Sequence, residues 1–273
     1  MSITASMVKD LREKTGVGMM DCKKALAACD GNEEKAVAWL REKGMAKAEK
    51  KAGRATSEGL VAAYITEDGK AGALAELQCE TDFVAKNKEF QAFVLNMAKA
   101  AVDSRADSVE ALPEEARDVT GLIGKIGENM QPGKIGHIAV EGDGIIGSYV
   151  HSNSKLGVIV ELIGAGEVEA MQTTAKDIAM QIAATSPMCV SPDQVDQTVV
   201  AKEKEIYLNQ AKEEGKPEQI AEKIVIGRLN KFYKEVCLQE QPFIKDDSKA
   251  VKDLLKPLGD VRIGRFFRIA VGE

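Results

Sequence analysis

A cysteine among acids stands out in this chain: Cys79, Glu80 and Asp82, in the run ELQCETDFVAK from Glu76 to Lys86. A thiol beside carboxylates could serve a thiol hydrolase or an oxidoreductase. The sign is wrong for both, because nearby negative charge raises a thiol pKa and so withholds the reactive thiolate. Other chemistries fare no better. His137 and His151 are the two histidines, and Cys22, Cys29, Cys79, Cys189 and Cys237 are scattered without a CxxC pair. A zinc site needs a tighter cluster of nitrogen and sulfur ligands. The sequence has no GxSxG, no GxGxxG after a strand and no GxxxxGK[ST], so neither a hydrolase nucleophile nor a phosphate-cradling loop is signposted. The expectation is a protein with no catalytic residues, metal or cofactor; a thiol enzyme at Cys79 is the weaker alternative.

The same run offers something other than catalysis. Phe83 sits between Asp82 and Val84, after an apolar strand and before a helical stripe. Connections run over the surface and are usually polar. Phe83 therefore either tucks back as a hydrophobic staple or is held out for a partner. A repeat bears on the choice. At a constant offset of 85 residues, Gly59 falls on Gly144, Tyr64 on Tyr149, Lys70 on Lys155, Gly72 on Gly157, Glu76 on Glu161 and Leu77 on Leu162. Phe93 and Met97 fall on Ile178 and Ile182. Where the first copy has Asp82-Phe83-Val84, the second has Glu167-Val168-Glu169. An aromatic required by the shared fold would recur, so a task confined to the first copy is favoured.

The elements that position this tip follow from periodicity. Residues 1–54 read as a three-helix domain with a linker. Thr4 caps a first helix with stripe Met7, Val8 and Leu11, ended by Gly16. Asp21 caps a second helix, and Asn32 a third with stripe Ala36, Val37 and Leu40 that closes at Gly44. Trp39 lies off that stripe and is expected to be partly exposed. Met45 to Arg54 reads as a basic, small-residue linker, either irregular or helical. Met19 and Met20, in the turn from Gly18 to Asp21, either make an adaptable contact surface or plug the small core.

Residues 55–141 form a first core subdomain: a hairpin turning at Glu67-Asp68-Gly69, a helix from about Asn87 carrying Phe90, Phe93, Val94, Met97 and Ala101, a polar helical stretch from Ser108 to Lys125, and a strand at 135–140. Residues 142–273 form the second core subdomain, with a helix ending before Pro187. Two long charged helices, at 193–213 and 217–236, make an antiparallel hairpin inserted at about 188–238 and broken at Glu214-Gly215-Lys216-Pro217. Their expected stripes are Val195, Val199 and Ile206, and Ile220, Ile224 and Phe232. A helix at 248–255 and a final strand at 261–271 follow. The hairpin either pairs with a second copy of the chain or packs on its own body. The fold class is α+β.

Composition bounds the function. The chain has 273 residues, 29% of them charged and 4% aromatic, and a net charge of −6. With a pI near 5.3, general attraction to nucleic acid or an anionic membrane is not expected. No apolar run approaches the ~20 residues of a membrane span. The N-terminus lacks the features of a secretory signal, and scattered cysteines suit a reducing, cytoplasmic setting.

Two motifs, LREKTGVGMMDCKKAL (Leu11 to Leu26) and ELQCETDFVAK, resemble bacterial elongation factor Ts, the nucleotide-exchange factor for elongation factor Tu. Gln78 stands where that family more often has asparagine. The duplicated core and inserted hairpin fit as well, and the likeness covers nearly the whole chain. It fades at Glu273, where several members continue into a partner-contacting helix; that contact is not expected of this sequence. The resemblance implies that Asp82 and Phe83 enter the nucleotide domain of elongation factor Tu, flanked by Thr81 and Val84 and supported by Ile126 and Gly127. It implies that Phe83 dislocates the Mg²⁺ site and releases GDP. Lys9, Arg12, Met19 and Met20 would contact another face of that domain, and His151 a different domain. The three-helix domain also resembles ubiquitin-associated (UBA-like) domains, which leaves a non-exchange protein-binding adaptor as the competing reading.

Overall fold

The computed structural model describes residues 3–215 and 217–273, so Lys216 of the expected hairpin break lies outside the described residues. Three helices open the chain: α1 (Ala5–Thr15), α2 (Met19–Ala28) and α3 (Glu33–Lys51). The Thr4 hydroxyl accepts from the Met7 amide and Asn32 accepts from the Lys35 amide, so both expected caps form. Gly16 closes α1 in the left-handed region, at φ 67°. Helix α2 starts two residues before the expected cap Asp21, with Gly18 as its N-cap. Val8, Leu11, Cys22, Ala25, Leu26, Ala36 and Leu40 form the core of this part. Trp39 packs partly against it, while Val37, assigned to the stripe, is exposed.

The third helix does not close at Gly44. It runs on to Lys51 and absorbs the expected linker. The reason is a neighbour. Gly44 is buried against α7 (Thr120–Ile126), and a Cβ added at Gly124 would lie 3.2 Å from the Gly44 Cα. The glycine permits close helix approach, so its low helix propensity is offset by packing.

The first sheet has the order β1-β2-β3, from β1 (Glu58–Ile65), β2 (Ala71–Cys79) and β3 (Met130–Ala139). Between β2 and β3 come a one-turn helix α4 (Asp82–Ala85), then α5 (Lys88–Ser104) and the short helices α6 (Glu114–Arg117) and α7. The expected single helical stretch at 108–125 is thus two short pieces. The second sheet has the order β4-β5-β8, from β4 (Gly144–Val150), β5 (Leu156–Ile163) and β8 (Arg262–Ala270). Helix α8 (Val168–Thr185) covers it, burying Ile178, Ile182 and Ala183. The helices α9 (Gln197–Glu213) and α10 (Glu218–Val236) form the inserted hairpin, followed by β6 (Pro242–Phe243) and β7 (Asp246–Ala250). The expected helix at 248–255 is instead the end of β7 and a 3₁₀ turn at Val251–Leu254.

Within the hairpin, Val195, Val200, Leu229 and Cys237 make the buried seam, together with Ala211 and Ala221 towards its turn. Ile206 and Ile220, placed on the seam by sequence, are exposed. The seam runs one position off those isoleucines, through Tyr207 on α9 and Ala221 on α10.

The chain divides into two compact units. The first comprises 1–62, 75–136 and 269–273; the second comprises 63–74 and 137–268. The repeat is visible in both sheets. Gly59 and Gly144 have φ 154° and 145°, and a Cβ there would sit 2.4 Å from the Leu77 carbonyl oxygen and 2.3 Å from that of Leu162. Only glycine fits either place.

Candidate functional site

Strand β2 ends at Cys79 and the chain turns into α4, which is one turn long. Its two apolar residues part company. Val84 is buried, whereas Phe83 is 80% exposed. The staple reading of Phe83 therefore fails. A benzyl group exposed to this degree forgoes most of the about 1.5–3 kcal/mol that burial would contribute.

The turn is held from behind. The Thr81 amide and hydroxyl both donate to the Glu128 carboxylate, at 2.9 and 2.7 Å. The adjacent Asn129 amide donates to Glu80 at 2.6 Å, and the Asn129 side chain donates to the Arg54 carbonyl at 2.7 Å. That amide, with the Arg54 guanidinium adding to it, holds the Glu80 carboxyl below its usual range. Gly127 ends α7 at φ 91° and its carbonyl accepts from the Lys51 ammonium. Ile126 and Gly127 are half-buried beside Glu128 in sequence. Asn87 caps α5 by accepting from the Glu89 amide at 2.8 Å, which fixes the far end of the turn.

On the exposed side, Lys86 donates to Asp82 at 2.6 Å and lies 5.8 Å from the Phe83 ring centroid. Solvent screens such a pair, which leaves it little stabilising value. It does keep acid, cation and ring together at the tip. The i, i+4 spacing of Asp82 and Lys86 is legible in the sequence. The part played by Glu128 is not, since a lone acid 47 residues away carries no local signal.

Cys79 lacks the surroundings of an activated thiol. Its thiol is buried, donates to the Thr81 carbonyl at 3.1 Å, and is pushed up to about 11. Burial is the first cause and the Glu128 carboxylate the second. The acids named from sequence, Glu80 and Asp82, are not the ones responsible. Among the described residues no group of three or more metal-ligating side chains exists. No helix among them is long and apolar enough to cross a membrane.

The remaining candidates lie elsewhere. Lys9 and Arg12 are exposed on α1, with Lys9 3.7 Å from Glu13. Met19 and Met20 are exposed at the start of α2, and neither joins the three-helix core; Met7 packs against that core instead. His151 belongs to the second unit. It is exposed beside the β4-β5 turn, its Nδ1 3.0 Å from the Asn153 side-chain oxygen and its ring edge-on to Tyr149.

Residues 80–273 match the family model described as Elongation factor TS, a span that includes the tip. The chain is 50% identical to elongation factor Ts of Nitratidesulfovibrio vulgaris (strain DP4) over 283 aligned positions, covering 100% of this chain and 97% of that protein. The chain belongs to the elongation factor Ts family. Elongation factor Ts of Clostridium botulinum (strain Eklund 17B / Type B) is 49% identical, with 99% of this chain and 93% of the relative covered. That of Desulfovibrio desulfuricans is 50% identical, with 94% and 92% covered. Membership of the elongation factor Ts family places the chain among the elongation factors of protein synthesis.

Proposed function

We propose that this chain is a guanine-nucleotide exchange factor, which binds elongation factor Tu–GDP and promotes GDP release by inserting Asp82 and Phe83 beside the Mg²⁺ and phosphate site. The observation that carries the reading is the exposure of Phe83 on a turn whose neighbours are all fastened. A rigid mount lets the ring enter a partner's apolar pocket without first losing conformational freedom. Mg²⁺ neutralises phosphate charge, so displacing the segments that hold it leaves the diphosphate uncompensated. Thr81 and Val84 orient the tip, and Ile126 and Gly127 support it.

Labour divides along the chain. Residues 1–54 contact a further face of the nucleotide domain through Lys9, Arg12, Met19 and Met20. Residues 55–141 carry the tip. Residues 142–273 contact another domain of the partner around His151, and their hairpin, with Ile206 and Ile220 exposed, is where a second copy would pair. The chain acts without making or breaking a covalent bond, without a cofactor of its own, and in the cytoplasm. It contacts neither nucleic acid nor membrane directly.

Burying one phenylalanine accounts for about 1.5–3 kcal/mol, which is about ten- to a hundredfold in GDP affinity. A larger loosening draws on the other contacts. Stopped-flow release of a fluorescent GDP from elongation factor Tu tests the proposal, and the chain is expected to accelerate it. The exposed Met19 and Met20 favour a second reading, an adaptor that binds a protein through the three-helix domain. An adaptor would leave the release rate unchanged.

A further inference from the structure

Two cysteines that play no part in the tip meet at the root of the helical hairpin. Cys189 precedes α9 and Cys237 follows α10, 48 positions apart, and their sulfurs lie 3.7 Å apart. The backbone sets this closeness. The two residues form a parallel bridge, with the Leu238 amide donating to the Cys189 carbonyl at 2.9 Å and the Gln239 amide to the Val190 carbonyl at 3.0 Å. Neighbouring strands lie about 4.8 Å apart, inside the Cα window of about 4.4–6.8 Å that a disulfide accepts. Closing the sulfurs to about 2.05 Å therefore asks for side-chain rotation more than backbone movement. Both thiols are free in this structure.

The two differ in access, which gives the chemistry an order. Cys189 is partly exposed, whereas Cys237 is fully buried. We infer that Cys189 and Cys237 form an oxidation site, where an intramolecular disulfide clasps the root of the hairpin when a low-molecular-weight disulfide such as oxidised glutathione is present. The Cys189 thiolate attacks one sulfur of the small disulfide, whose S–S bond breaks and whose other half leaves as a thiolate. The Cys237 thiolate then attacks the Cys189 sulfur and expels the second half. Two protein thiols are oxidised to one disulfide, the small disulfide is reduced to two thiols, and the cysteines' two protons pass to the departing thiolates. Burial raises the Cys237 thiol, so access and thiolate character both make Cys189 the first to react. The other cysteines have no such neighbour: among the described residues, Cys189 with Cys237 is the one pair of cysteine sulfurs in contact.

The full-length chain is incubated with oxidised glutathione in native buffer, remaining thiols are blocked with N-ethylmaleimide, and the digest is read by mass spectrometry. The expected result is a Cys189–Cys237 linked peptide and a fall from five free thiols to three, with circular dichroism unchanged. A protease nick between α9 and α10 then yields fragments that stay together on a non-reducing denaturing gel. In Cys189→Ser those fragments separate with or without oxidant. Glutathione retained on Cys189 with Cys237 still free, five free thiols after treatment, linkage between other cysteines, or linkage only after loss of the native circular dichroism signal would each overturn the inference.

Discussion

The carboxylate of Glu128 receives two hydrogen bonds from Thr81, one from its amide and one from its hydroxyl. One acid at the end of α7 thus fixes both the backbone and the side chain of the residue that launches α4. Glu128→Ala is expected to leave both donors without their acceptor. A hydrogen bond to a charged group is worth about 1.5–3 kcal/mol, and less where water can replace it. The expected outcome is a stability loss of about 1–2 kcal/mol in urea titration, with exchange slowed several-fold. If stopped-flow exchange is unchanged, rigid mounting of the tip does not matter.

Phe83 and Val84 are adjacent and should behave as opposites. Phe83→Ala removes an exposed ring and is expected to shift stability by under about 0.5 kcal/mol. It should still bind the nucleotide-free partner but accelerate GDP release at least about tenfold less. Val84→Ala removes buried methyl groups and is expected to cost about 1–2 kcal/mol of stability. Denaturation curves and release rates measured on both variants separate the roles. Equal exchange by Phe83→Ala and the parent would remove the ring from the mechanism.

Nucleotide and exchange factor must oppose each other equally. If this chain lowers the affinity of elongation factor Tu for GDP, GDP must lower the affinity of elongation factor Tu for this chain by the same factor. Isothermal titration with and without GDP gives one factor, and GDP titration with and without the chain gives the other. Disagreement beyond experimental error would point to linked equilibria outside this simple scheme.

Alkaline pH should weaken the fold through Cys79. Its thiol is raised from an ordinary value of 9.0 to about 11 in the folded chain. Between those values the unfolded chain releases a proton that the folded chain keeps, so stability falls as pH rises through that window. The Cys79→Ala variant is expected to show a shallower decline from pH 9 to 11 when unfolding is followed across the series. An unchanged slope would assign the alkaline loss to other groups, Tyr207 and Cys237 among them, both raised to about 12.

The third strands offer a packing test. A Cβ at Gly133 would lie 2.5 Å from the buried Glu76 carboxylate, and one at Gly264 would lie 2.3 Å from that of Glu161. Gly133→Ala and Gly264→Ala are each expected to cost about 1–3 kcal/mol through overpacking. Thermal denaturation of the single variants checks this, and no loss at either site would mean the carboxylate moves aside freely.

Much of this arrangement is legible in the sequence. The 85-residue offset anticipated two matching hairpins, and the aromatic missing from the second copy drew attention to Phe83. The caps Thr4 and Asn32 are legible because capping is a local side-chain-to-backbone interaction; Asp21 is not a cap, because α2 starts two residues earlier. What stayed hidden was non-local. Gly44 looked like a stop because its partner, Gly124, is 80 positions away. Ile206 and Ile220 look like a seam because apolar residues also stand next to the true one, and periodicity does not say which of two adjacent phases faces the partner helix. The Glu128 tether to Thr81 left no local trace. The repeat also continues further than the offset shows: Gly133 and Gly264 sit over equivalent glutamates, but from third strands separated by unequal insertions, so no constant shift aligns them.

Lys86 ends the one-turn helix α4 and Asn87 caps the next helix, α5, whereas the second copy runs through the same region as a single rod, α8. The backbone bonds within α4 are long, at 3.3 and 3.4 Å, so α4 draws little rigidity from its own ladder. Its shape is borrowed from Thr81, Val84 and Asn87. The identity of the protruding residue is thereby uncoupled from the scaffold, and evolution could vary what the fingertip carries without rebuilding the hand.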